Sequence, residues 1–522
     1  MTLTAGTERA SEAGARAHAQ AQHAAVVEHG ERPGPRPRGG PRTGAPRRRP
    51  PATDLLAAAR TRFWATVPAR LRLLRAATLA LTLALVLLAL FAGLGARATW
   101  GDIADRDAPR TTSAAALNLD LNDMDAQVAN ILLANGDAGR GRLDVPYRKA
   151  VGLYGSARHG ISHELRTLAV AAQGDRGAQR TVERLTEDFA AYQELAGRAL
   201  ENTGRPGGKK AALDDYRSAT DLLQKRLLPE ARKLVDTTNG RFNTRYEDAR
   251  SDLGVQLAAL VALGVVLLLV LGALQWYLAR SFRRILNPGV LAATGCALTA
   301  VILGAQLLSA SSAHLEVARR DAFDSVVALS RARAVAYDAN ADESRYLLDA
   351  DRRDRYTDSY FAKSQKLYGI PGATMATYND ELDRTWDAYV DDHGELRFTG
   401  EFRRELDNIT FDGERAAAED TVAKYAVYQR DDRKIRDLAT GGEERRAAEF
   451  CMGWRAGTSN DHFGKWMDAL ATVTKVNRDA FDDAVRDGRD GVSAQLPWIV
   501  GALLAAGVLT VAGLRPRLGE FR

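Results

Sequence analysis

Apolar residues along the chain follow two patterns. Four stretches, roughly 76–96, 254–278, 289–308 and 496–514, are apolar throughout and carry no charge in their middles. Each approaches the ~20 residues a helix needs to cross a bilayer. Elsewhere apolar positions recur every three or four residues, the period of a helix face and not of a strand. Leu117, Leu121, Met124, Val128, Ile131 and Leu132 mark such a face after the first stretch. After the third, Phe323, Val327, Ser330, Ala334, Tyr337, Ala341, Ser344 and Leu348 keep a 4–3 alternation. That is a heptad seam of small residues, of the kind that permits a homodimer. Leu228, Ala231, Val235, Thr238 and Phe242 lead into the second stretch, and Trp466, Leu470 and Val473 lead toward the fourth.

These patterns predict an all-α membrane protein, with four transmembrane helices and two extracytoplasmic antiparallel helical bundles in tandem. The expected order is a tail over 1–75, bundles over 97–253 and 309–495, a loop over 279–288 and a tail over 515–522. Gly and Pro clusters divide the bundles, among them Gly204 to Gly208, Ile370-Pro371-Gly372 and Gly441-Gly442. Each bundle then holds about four helices, with its first and last on the membrane side. Pro288-Gly289 reads as a hinge between two copies of span–bundle–span.

Charge sets the orientation. Arg70, Arg72 and Arg75 precede the first span, Arg280, Arg283 and Arg284 follow the second, and Arg515 and Arg517 follow the fourth. The positive-inside rule then places both termini and the 279–288 loop in the cytoplasm of a multi-pass plasma-membrane protein. The cytoplasmic pieces are short, which predicts no kinase, cyclase or nucleotide-binding domain there. Residues 309–496 hold 37 acids against 28 bases, whereas residues 1–75 hold 14 bases against 5 acids. The overall charge of +6 therefore reflects basic pieces beside apolar runs and not a nucleic-acid surface. The two cysteines, Cys296 and Cys451, give no disulfide framework and no cysteine-based metal site.

No nucleophile–base constellation, zinc-protease motif or phosphate loop occurs, so no catalytic residue, cofactor or metal is expected. His159 and His163 lie four apart and share a helix face, but no third ligand is placed beside them. Asp338, Asp342, Glu343, Asp349, Asp351 and Asp354 crowd one helix and its end. They read as a solvated face or as a docking surface, with Trp386, Tyr389 and Trp454 as aromatic anchors for an outside partner. In the tail, Thr53-Asp54 is expected to cap a short amphipathic helix bearing Leu56, Ala59 and Phe63, with Arg60 and Arg62 alongside. That helix suits an anionic lipid surface or a soluble docking protein. Phe323, Val327, Ala334, Tyr337, Phe242 and Leu470 are the expected signal-transmitting positions.

The two outer segments share elements in the same order. Leu132-Leu133-Ala134 answers Leu347-Leu348-Asp349, Leu153-Tyr154-Gly155 answers Leu367-Tyr368-Gly369, and Phe189 to Tyr192 answers Val422 to Tyr425. With the four spans, this doubled layout resembles the actinobacterial GlnX-type membrane proteins, which are chemoreceptor-like sensor modules without a cytoplasmic output domain. The resemblance covers about residues 70–515. It implies a non-catalytic signal relay, in which an extracytoplasmic solute-binding lipoprotein of amino-acid type contacts the bundles and a cytoplasmic Ser/Thr kinase receives the signal. The alternatives are an envelope-assembly scaffold and an accessory subunit of an ABC-type transport complex.

Overall fold

A computed structural model describes residues 67–135, 142–282 and 287–519 of the 522-residue chain. The tail positions Leu56, Ala59, Arg60, Arg62 and Phe63 lie outside the described residues. Every named element is a helix, and a lone bridge between Gly369 and Thr399 is the sole extended pairing among the described residues. The helices are α1 (Val67–Asp102), α2 (Ala108–Asn135), α3 (Asp144–Ala171), α4 (Arg176–Thr203), α5 (Lys209–Leu222), α6 (Leu228–Phe282) and α7 (Pro288–Glu316). They continue as α8 (Asp324–Leu348), α9 (Arg353–Leu367), α10 (Tyr378–Asp391), α11 (Glu401–Asp407), α12 (Glu414–Thr440), α13 (Glu444–Cys451) and α14 (Ser459–Gly519).

Among the described residues, four helical runs are long and apolar enough to cross a membrane, and all four extend far beyond a bilayer's thickness. At 1.5 Å per residue, the 55 residues of α6 reach about 80 Å. Three of these runs pass through a π-helical turn without breaking. Those turns are Ile103–Asp107 between α1 and α2, Leu223–Leu227 between α5 and α6, and Val317–Phe323 between α7 and α8. Two of the three therefore fall at the same place, just after the first and third spans.

The spans pack as a closed ring in the order α1, α6, α7, α14. Glycines let them approach closely. A Cβ on Gly93 would meet Leu496 at 2.7 Å, and one on Gly264 would meet Val301 at 2.6 Å. The 287–289 segment differs from the hinge expected there. The Asn287 side chain caps α7 by accepting from the Gly289 and Val290 amides, while its Nδ2 donates to Gly513 O at 2.9 Å. Pro288 occupies the first turn, where its missing N–H is harmless. The joint is a clamp between α7 and α14.

The described residues fall in one compact unit, and beyond the spans α2 packs along α8. The small-residue seam is thus filled within the chain: Val327, Ala334, Ala341 and Ser344 are all buried. The paired tripeptides occupy different backbones. Tyr154 lies inside α3, whereas Tyr368 follows the end of α9 and stacks on Phe398 at 3.9 Å.

Candidate functional site

The amphipathic reading of α2 and α8 leaves their polar residues for water, yet many are buried. Asp125 on α2 and Asp338, Asp342, Glu343 and Arg345 on α8 all have 4% or less of their side chains exposed or lie wholly inside. The solvated acidic face expected over α8 is therefore largely internal. The reason is supplied by distant cations. Arg345 pairs with Asp125 and Asp342 and reaches Asp338 at 3.3 Å. Lys363 of α9 donates to Asp342 Oδ2 at 2.5 Å and lies 2.8 Å from Asp338 Oδ1. At the end of α8, Arg217 of α5 holds Asp349, with Nε donating to Oδ2 at 2.8 Å.

Neutral donors complete the cluster. Tyr192 Oη donates to Asp125 Oδ1 at 2.7 Å, and Tyr216 Oη and Thr220 Oγ1 lie at 3.3 Å from its two oxygens. Gln224, inside the Leu223–Leu227 turn, donates to Asp338 at 2.9 Å. Burial pushes both phenols up, and the Asp125 charge adds to it, so they remain donors. Burial also works against the charge on Asp338, but Lys363 and Arg345 beside it hold its carboxyl down at about 2. Next along α8, Ser344 donates to Asn130 at 2.5 Å. Glu343 is pushed well up, first by burial and then by Asp432.

Such a cluster adds little net stability, because desolvating the ions offsets most of their attraction. What it fixes is register. A slide of α8 by one turn along α2 separates Arg345 from Asp125 and, with α5 in place, Arg217 from Asp349.

At the membrane end, α6, α14 and the Val317–Phe323 turn that precedes α8 meet through rings. Phe242 of α6 contacts Phe323 edge-on at 4.9 Å, and Phe323 contacts Phe481 of α14 at 5.3 Å. The expected signalling positions Phe242 and Phe323 are thereby brought together, at the end of a π-helical turn. Arg319 lies 5.1 Å above the Phe242 ring. Leu470, Val327 and Ala334 are buried, and Tyr337 packs edge-on against Phe463 at 5.1 Å.

The aromatic anchors are not gathered. Tyr389 is 1% exposed, so its ring belongs to the core of the second lobe. Its hydroxyl accepts from Arg415 at 2.9 Å, and Trp386, half-buried, stacks on it at 5.0 Å. Trp454 lies elsewhere, beneath Lys149 at 4.5 Å. His159 and His163 are exposed, and no group of metal-ligating side chains occurs among the described residues. Arg345, Asp125 and Lys363 were missed by pattern reading. The available signal was a run of acids interleaved with alanines on a face too small-sided to be purely solvated.

Residues 99–247 match the family model described as Actinobacterial sensor domain. The match runs from the end of α1 into α6 and includes Asp125, Tyr192, Tyr216 and Phe242. No curated protein and no solved structure matches the chain. With four helices suited to crossing a membrane, the match supports a membrane protein with a sensing role.

Proposed function

We propose that this protein is a non-catalytic transmembrane signal relay whose moving parts are α2, α8 and the π-helical turns that join them to the spans. The supporting observation is continuity. Helices run unbroken from the ionic seam through the Ile103–Asp107 and Val317–Phe323 turns into α1 and α7. A π turn holds one residue more than an α turn. Converting it to α geometry turns the helix beyond it by about 100° and moves it by about 1.5 Å. Movements of this size are within the range of switching helices. A signal shifts the balance only by favouring one arrangement over the other.

The lobes face outward and the 279–288 loop inward, on the basis of the flanking arginines. Through the resemblance to GlnX-type proteins, the outside partner is a solute-binding lipoprotein of amino-acid type, and the inside partner is a Ser/Thr kinase. The two halves descend from one duplicated module, a reading favoured by the paired π turns after spans one and three.

Cysteine pairs introduced across α2 and α8 test the relay. Crosslinked protein should hold its output at one level whatever the stimulus. A full response from locked protein refutes the reading. Crosslinking in intact cells tests the partners, with recovery of wall-building enzymes or of an ATPase replacing relay by scaffold or transport subunit.

A further inference from the structure

A groove of about 250 Å³ opens between α2, α8 and α14. Its polar lining is Thr112, Ser330, Arg333, Thr474, Lys475 and Arg478, with no carboxylate among the described residues that line it. A second cavity of about 270 Å³ shares Thr112 and Arg478 with it. That cavity is walled by Pro109, Phe323, Val326 and Phe481, with Asp482 its one carboxylate. The pair therefore offers a cationic end and an apolar end.

The cations are poorly neutralised. Arg333 Nε is buried without a hydrogen-bond acceptor among the described residues. Its acidic neighbours Asp120 and Asp123 are pushed up, chiefly by burial, to about 7 and about 6, which weakens what they counterbalance. Lys475 holds only Asp479, in an exposed pair of the kind that exchanges readily. Arg478 has no ion pair or hydrogen bond among the described residues. The hydroxyls of Thr112, Ser330 and Thr474 donate to carbonyls of their own helices, so each offers lone pairs to a ligand N–H or O–H.

We propose that this groove binds a small organic anion, a carboxylate or a phosphate monoester. Its charged end sits among Arg333, Lys475 and Arg478, and its apolar body lies against Phe323, Val326 and Phe481. Charge-assisted bonds to such cations are stronger than neutral ones. The ligand touches α2, α8 and α14 together and abuts two of the three π turns, through Ala104 and Phe323. This goes beyond the relay reading, since the chain itself takes a ligand, and it is measured by binding alone.

Calorimetric titration of the full-length protein in detergent micelles provides the test, with phenylacetate, phenyl phosphate, acetate and inorganic phosphate as probes. One aromatic anion should bind saturably, about tenfold or more tighter than its parent ion, and the tighter of the two assigns the head group. Arg478→Ala and Lys475→Ala should each weaken that binding about tenfold or more with unchanged melting, while R478K retains most of it. Absence of saturable binding by both aromatic anions overturns the proposal. So does binding that survives both alanine variants, or inorganic phosphate and acetate binding as tightly as their phenyl counterparts.

Discussion

The two ends of α8 are built from opposite chemistry. Its membrane end follows Phe323, which lies between Phe242 and Phe481 beside a π-helical turn. Its far end, roughly 30 Å along the helix, is the buried cluster of Arg345, Asp125, Asp338, Asp342 and Lys363. Ring contacts draw most of their energy from apolar burial, which is non-directional and survives a small shift. Buried ion pairs do not survive it, because each carboxylate that loses its cation keeps the full cost of desolvation. The difference assigns the distal end to anchoring and the proximal end to movement. A third arrangement sharpens the contrast. Glu405 and Glu414, both buried, face each other through Asn477, which donates to Glu414 at 2.6 Å and to Glu405 at 3.3 Å. No cation enters this pair among the described residues, so it meets burial by keeping a proton.

The strongest break comes from removing the anchor's cation. Arg345→Met leaves Asp125, Asp338 and Asp342 under-neutralised and should lower stability by about 3–5 kcal/mol, read from thermal or denaturant melts in detergent. A loss under about 1 kcal/mol is incompatible with the anchoring role. The carboxyl pair comes next. Glu405 is raised to about 8, first by burial and then by Glu414. Its ordinary value is 4.5, so across that window the fold binds a proton that the unfolded chain has released. This contribution is complete at the acid end and lost as pH rises from 4.5 to 8, by up to about 1.4 kcal/mol per unit. Glu405→Gln should flatten this slope and raise the melting temperature most at alkaline pH. An unchanged slope removes Glu405 as its source.

At the proximal end, Phe323→Leu should cost no more than about 1.5 kcal/mol yet change the signalling output. A variant equally mild in stability and unaltered in output argues against movement there. Smallest is the exposed link between the halves. Arg331 lies 2.6 Å from Asp236, and Arg331→Ala should move stability by roughly 0.5 kcal/mol or less. A larger effect shifts the anchor from the buried cluster to the surface pairs.

The sequence determined the local part of this architecture. Span positions follow from uninterrupted apolar runs, and helical lobes follow from a 3.6-residue period, both of which are properties of neighbouring residues. Phe242 and Phe323 were legible for the same reason, since each sits on an apolar face leading to a span. The tertiary structure alone decided the fate of the acids on α8. Whether Asp125 meets water or Arg345, 220 residues away, depends on how two distant helices are laid together. A local pattern contains no record of that pairing. It likewise decided that Tyr389 is core and that the heptad seam is filled by the chain's own α2. A helix face specifies what it must bury, and only the completed packing specifies against what.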